Sequence, residues 1–76
     1  MNNIRRKAIQ KVIDSIEELK EEVETLAKEE QECFENIPES FYGSERYERA
    51  EQAVDNLESA SFSFEELIDY LNAAIE

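Results

Sequence analysis

The side chains that could do chemistry in this chain are almost all carboxylates. The 76 residues include 20 Asp and Glu, 8 Lys and Arg, one cysteine and no histidine. Without histidine the commonest general base and metal ligand is missing, and a di-iron site of the Glu-x-x-His type is excluded. Gly43 is the only glycine, so a Gly-rich phosphate loop is excluded as well. We therefore expect a protein that is not an enzyme and needs no cofactor.

Carboxylates one helical turn apart, such as Glu18 and Glu22, could in principle hold a divalent cation. Glu-rich helices form such pairs by chance, so we expect no dedicated metal site. Cys33 excludes an internal disulfide framework because it has no partner in the chain. Its place in the apolar pattern predicts that the thiol packs as a small hydrophobic group.

The most unusual feature is the density of carboxylates between Asp14 and Glu39. On a helix, carboxylates three or four residues apart lie about 5–6 Å from one another. That spacing is similar to the spacing of charges on a nucleic-acid strand, so these side chains could occupy a basic groove of a nucleic-acid-binding protein. The alternative is a solvated face that keeps an apolar hairpin in solution. The candidate acidic interaction face consists of Glu17, Glu18, Glu21, Glu22, Glu24, Glu29 and Glu32.

Two smaller groups of residues are further candidates. Phe41 and Tyr42 belong to an aromatic segment around Pro38 that either closes the end of the fold or anchors a partner, since exposed aromatic residues often dominate interfaces. A basic cluster near the N-terminus could bind the phosphates of a nucleotide or signalling metabolite, or could neutralise acidic residues of a second helix. This cluster comprises Arg5, Arg6, Lys7 and Lys11.

The apolar residues of the first half follow the 3-4 spacing of packed helices. Ile13, Ala27 and Phe34 widen this stripe on one side, and Pro38 predicts that the helix ends near residue 36. Glu30 interrupts the stripe, and we expect it to form an ion pair with Arg46 or Arg49. The predicted contact row is Ile9, Val12, Ile16, Leu19, Val23 and Leu26.

The second half repeats the same spacing after Ser44, a predicted N-cap. Residues 61–64 alternate as a strand would, but the unbroken heptad pattern favours a continuous helix. Its stripe, in which Ser61 is the polar interruption, consists of Tyr47, Ala50, Val54, Leu57, Ser61, Phe64, Ile68, Leu71 and Ile75.

We therefore predict an all-α fold with one domain over residues 1–76, an antiparallel, coiled-coil-like two-helix hairpin. Helix 1 is expected at about 3–36, the loop at 37–43 and helix 2 at about 44–75, with Ile16 opposite Phe64. Both stripes are wider than one partner helix can cover, and large exposed apolar strips are unusual on monomers. The expected solution is a homodimer that forms a four-helix bundle, with burial against a different protein as the alternative.

The net charge of −12 disfavours direct binding to nucleic acids and to anionic membranes, both of which select Lys and Arg. It is compatible with a basic protein partner. No apolar run reaches transmembrane length, and no apolar segment follows the basic N-terminal residues as in a secretory leader. The expected location is the cytoplasm.

Three segments of the chain are similar to those of known proteins: 34–40 (Phe-Glu-Asn-Ile-Pro-Glu-Ser), 44–48 (Ser-Glu-Arg-Tyr-Glu) and 55–60 (Asp-Asn-Leu-Glu-Ser-Ala). In this order, after an Arg-Arg-Lys-Ala start and a Glu-rich helix, the chain resembles small uncharacterised acidic helical proteins encoded by phages and prophages of Gram-positive bacteria. Those proteins have no established activity, so the resemblance assigns no functional residue. It implies a phage context, in which small acidic accessory proteins often block host defence or redirect host nucleic-acid enzymes.

Three functions follow as hypotheses. The first is a non-enzymatic inhibitor or adaptor that binds a host protein through its acidic face or its aromatic tip. The second is an oligomer that sequesters a small phosphate-bearing ligand through the basic cluster. The third is a structural or scaffold protein.

Overall fold

Two long helices make up nearly the whole chain in a computed structural model that describes residues 1–76. Helix α1 spans Asn3–Glu35, a short 3-10 helix spans Glu39–Phe41, and helix α2 spans Glu45–Ile75. The helices pack against each other and no strand is present, so the predicted all-α helical hairpin is confirmed. The hairpin is a rod of 60 × 15 × 13 Å.

The helix ends follow from local hydrogen bonding. The side chain of Asn2 accepts a hydrogen bond from the backbone N–H of Arg5 at 2.8 Å, and Ser44 accepts one from Tyr47 at 3.2 Å. These two N-caps satisfy backbone donors that have no partner within their helices. Gly43, directly before the second cap, has φ = +81°, a conformation that glycine adopts without strain. Residues 61–64 are helical and lie inside α2.

The row of α1 that faces α2 differs from the predicted row. Ile13 is 1% exposed, whereas Val12 is 49% exposed. Leu19 and Leu26 are also about half exposed, and Cys33 is exposed and does not pack as a buried hydrophobic group. The apolar stripe of α1 is three rows wide, and a single partner helix covers only two of them. The observed seam of α1 consists of Ile9, Ile13, Ile16, Lys20, Val23, Ala27, Glu30 and Phe34.

The two helices are also shifted along each other relative to the expected pairing. The one salt bridge between them joins Lys20 to Glu65, at 3.2 Å. The expected register placed Ile16 at this level, so this contact is displaced by about one helical turn. At the loop end, Phe34 packs on Tyr47 within one residue of the expected pairing. As a result of the displacement, the first residues of α1, before Ile9, extend beyond the C-terminal end of α2, and Ile4 is 83% exposed there.

The core of the hairpin is very small. Only Ile13, Ile16 and Val54 are buried. Glu30 is half buried in the seam, and the predicted ion pair is wrong: Glu30 has no salt bridge, and Arg49 pairs with Glu45 on its own helix. Neither helix has a stretch that is long and apolar enough to cross a membrane.

Candidate interaction surfaces

One long side of the hairpin is a shallow acidic groove between the two helices. Helix α1 contributes three glutamates, one turn apart, and α2 contributes two carboxylates at the same level. Lys20 within the groove and Lys28 beside Glu24 offset only part of this charge, so the potential over this side is negative. The acidic groove consists of Glu17, Glu21, Glu24, Glu65 and Asp69, with Lys20 and Ile68 at its floor.

Lys20 connects the two walls of this groove. Its ammonium group lies 3.2 Å from Glu65 on α2 and 3.6 Å from Glu24 on its own helix, and its side chain is 25% exposed. The hydrogen-bonded carboxylate of Glu65 raises the pKa of Lys20; partial burial opposes this effect, and the negative charges of Glu65 and Glu24 add to it. Lys20 is therefore a charged bridge between the helices. Five carboxylates around one ammonium leave the groove negative.

The candidate acidic face does not form one surface. Its seven glutamates are all exposed, but they spread around the outer half of α1. Glu17, Glu21 and Glu24 enter the acidic groove, while Glu18 and Glu32 point away from α2. Glu22 and Glu29 lie on the opposite flank, where Glu22 borders Leu26. Sequence reasoning missed Glu65 and Asp69, because they join the groove only through the register of the two helices.

The side of the hairpin opposite the acidic groove is apolar. Two rows, each repeating every seven residues, lie beside the seam on this side. The side chains of Leu19, Leu26 and Leu67 are each 44–53% exposed. Continuous exposed apolar surface of this kind marks a site of association. The apolar face consists of Val12, Leu19, Leu26 and Cys33 from α1 and Ala53, Ala60, Leu67 and Ala74 from α2.

At the loop end, aromatic side chains close the hairpin. The ring of Tyr47 lies 4.9 Å from the rings of both Phe34 and Tyr42, measured between centroids. Offset pairs at this distance are attractive beyond the area they bury. The two candidate anchors, Phe41 and Tyr42, remain 50% and 55% exposed. Tyr42 therefore belongs to the end cluster, and Phe41 presents half of its surface beside it.

The candidate basic cluster lies at the other end, on and next to the part of α1 that extends beyond α2. None of its four residues forms a salt bridge, so the expected neutralisation by α2 is absent. The physical reason is the register, because the acidic residues of α2 end before they reach this level. The guanidinium group of Arg6 donates a hydrogen bond to the side chain of Asn3 on its own helix, at 3.2 Å. The basic overhang is Arg5, Arg6 and Lys7, with Lys11 just behind it.

The carboxylates are not grouped in a way that could hold a metal ion. Comparison of the chain with protein-family models, curated proteins and solved structures finds no match. The surfaces themselves are therefore the basis for any functional conclusion.

Proposed function

We propose that this protein is a non-enzymatic interaction module, an acidic helical hairpin that pairs with a second copy and binds a basic surface of a host protein. The observation that carries the proposal is that the two long sides of the hairpin differ, one being acidic and the other apolar. One side gathers five carboxylates around Lys20, and the other is apolar. An apolar side suits permanent burial, whereas a negative side suits recognition and steering of a basic partner.

The shape of the acidic groove supports a partner that normally binds nucleic acid. Its carboxylates repeat along the helices at about 5–6 Å and cover about two turns of α1, or roughly 10 Å, so a basic groove that binds a phosphate backbone could accept it. The resemblance to phage proteins favours a host enzyme of defence or nucleic-acid handling as the target. In that setting the protein acts in the host cytoplasm as an inhibitor or adaptor.

The first experiment uses the tagged protein as bait in a nuclease-treated host lysate, washed at moderate salt. The captured protein is then purified, and its affinity is measured for the wild type and for a groove variant, Glu17→Gln with Glu21→Gln and Glu24→Gln. Exposed ion pairs contribute about 0.5–1 kcal/mol each. The groove variant should therefore bind about tenfold more weakly or worse, with unchanged helicity by circular dichroism.

The matched control is Glu18→Gln with Glu29→Gln and Glu66→Gln, which removes the same charge from exposed positions away from the groove. This control should keep most of the affinity. If both variants lose the same affinity, binding depends on the net charge of the protein and not on the groove. If the groove variant binds as tightly as the wild type, acidic mimicry is refuted.

A second candidate function is favoured by the unpaired basic overhang. Three adjacent cations without ion-pair partners could contact the phosphates of a nucleotide or signalling metabolite. Native mass spectrometry of the purified protein would detect such a ligand as added mass. That mass should disappear in an Arg5→Ala/Arg6→Ala variant, and its absence from the wild type would count against this function.

A further inference from the structure

The apolar face is large enough for a stable interface between two copies of this chain. The hairpin exposes 6023 Å², whereas a compact monomer of 8.9 kDa should expose about 4,800 Å². The face runs from Val12 to Cys33, about 32 Å of helix. Two helices about 10 Å wide with axes about 9 Å apart make a side about 19 Å wide. This side therefore offers roughly 600 Å² per copy, or about 1,200 Å² for a pair, the lower end of specific interfaces.

We infer that two hairpins stack through the apolar face in opposite directions, with their loops at opposite ends of a four-helix bundle. This inference rests on the self-association in the proposed function and adds its surface and orientation. The charges decide the direction. The basic overhang of one copy comes to lie beside the loop end of the other. That end is net negative, because its carboxylates outnumber its two cations, Arg46 and Arg49; the carboxylates are Glu32, Glu35, Glu39, Glu45 and Glu48. Stacking in the same direction would instead place the two basic overhangs together and the two acidic ends together.

The sizes of the side chains agree with this direction. Full overlap of two opposed hairpins places Val12 over Cys33 of the second copy and Leu19 over Leu26 of the second copy. On α2 it places Ala60 over Leu67 and Ala53 over Ala74. Each of the two central layers then holds three leucines and one alanine, so these two layers are filled equally. Each end layer holds Val12 and Ala74 of one copy with Cys33 and Ala53 of the other.

Stacking in the same direction gives a less even interface. Leu19 and Leu67 lie at the same level of the hairpin, so four leucines would meet in one layer. Cys33 and Ala53 share another level, where only small side chains would meet. Opposed stacking has one unfavourable contact, because Glu22 meets its own copy beside the two-fold axis. This contact lies at the solvent-exposed border of the face, where repulsion is screened.

Disulfide trapping tests the orientation with the native thiol of Cys33. In the Val12→Cys variant, mild oxidation with copper phenanthroline should convert most of the protein to a covalent dimer. Within one chain the two thiols are about 32 Å apart on one helix, and a disulfide needs Cα atoms about 4.4–6.8 Å apart. A disulfide in this variant is therefore between chains. The wild type should remain uncrosslinked, because its two Cys33 residues are about 33 Å apart.

The opposite orientation has its own reporter. The Ala53→Cys variant should stay uncrosslinked, because Ala53 faces Ala74 of the second copy. A covalent dimer from Ala53→Cys but not from Val12→Cys would overturn the opposed arrangement. The combined variant Leu19→Cys/Leu26→Cys/Cys33→Ala is a second check, and it should crosslink between chains.

Sedimentation separates this inference from the wider proposal. A species of twice 8.9 kDa with none of these crosslinks would mean that another surface is used. A monomer at micromolar concentration would overturn both the orientation and the self-association, while binding of a basic partner by the acidic groove would be judged by its own variants.

Discussion

Replacement of Ile13 by alanine tests the observed seam most directly. Ile13 is the most deeply buried side chain, at 1% exposure. The change removes three carbon atoms, each contributing about 0.8 kcal/mol when buried, or about 2.4 kcal/mol in all. A residual cavity adds to the cost, and the higher helix propensity of alanine returns roughly 0.4 kcal/mol. We expect a net loss of about 2–3 kcal/mol.

Such a loss is large for this molecule. Domains of this size rarely have more than about 3–5 kcal/mol of stability from their core, and the hairpin buries only three residues. With an m-value of about 1 kcal/mol/M, the urea midpoint should fall by about 2 M or more. The measurement is urea unfolding followed by circular dichroism. All variants are compared at one protein concentration, because association makes stability concentration-dependent.

Ile4 provides a control with the same chemistry. Its side chain is 83% exposed, so Ile4→Ala removes about 0.4 kcal/mol of burial and regains a similar amount through helix propensity. The midpoint should not change. If Ile13→Ala costs less than about 1 kcal/mol, or no more than Ile4→Ala, then Ile13 does not lie in the seam and the described packing of α1 on α2 is wrong.

Two further predictions concern pH and the loop. The pKa of Lys20 is raised in the folded protein, so its contribution to stability is complete below the ordinary lysine pKa of about 10.4 and is lost as the pH rises through the higher folded value. Urea unfolding at pH 7–11.5 should show that the free energy of unfolding falls more steeply with rising pH for the wild type than for Lys20→Gln. If the free energies of the two proteins fall in parallel, the bridge from Lys20 to Glu65 is contradicted. Gly43→Ala should destabilise the hairpin by about 1–2 kcal/mol, because φ = +81° strains a side-chain-bearing residue, although nothing lies within 4 Å of the added Cβ. Gly43→Asn should cost less, because asparagine tolerates this conformation, and equal midpoints for all three proteins would show that the loop relaxes.

The helices and their ends were predictable because the forces behind them are local. The 3-4 spacing of apolar residues, the cap at Ser44 and the break at Pro38 each act within a few positions of the chain. The absence of histidine and the excess of carboxylates likewise limit the chemistry without reference to any fold. The hairpin follows from these features, since two matched amphipathic helices on either side of a short loop can bury their stripes against each other.

The choice of facing rows and the register belong to the tertiary structure. Three apolar rows on α1 share one seven-residue repeat, so periodicity alone does not distinguish the row of Ile13 from the row of Val12. A slide of one turn again places apolar residues opposite apolar residues. The observed register is distinguished by a contact between distant parts of the chain, the salt bridge of Lys20 with Glu65. The packing of Phe34 on Tyr47 fixes the loop end. Those contacts bring Glu65 and Asp69 into the acidic groove, turn Val12, Leu19 and Leu26 outward as an apolar face, and leave the basic overhang beyond the end of α2.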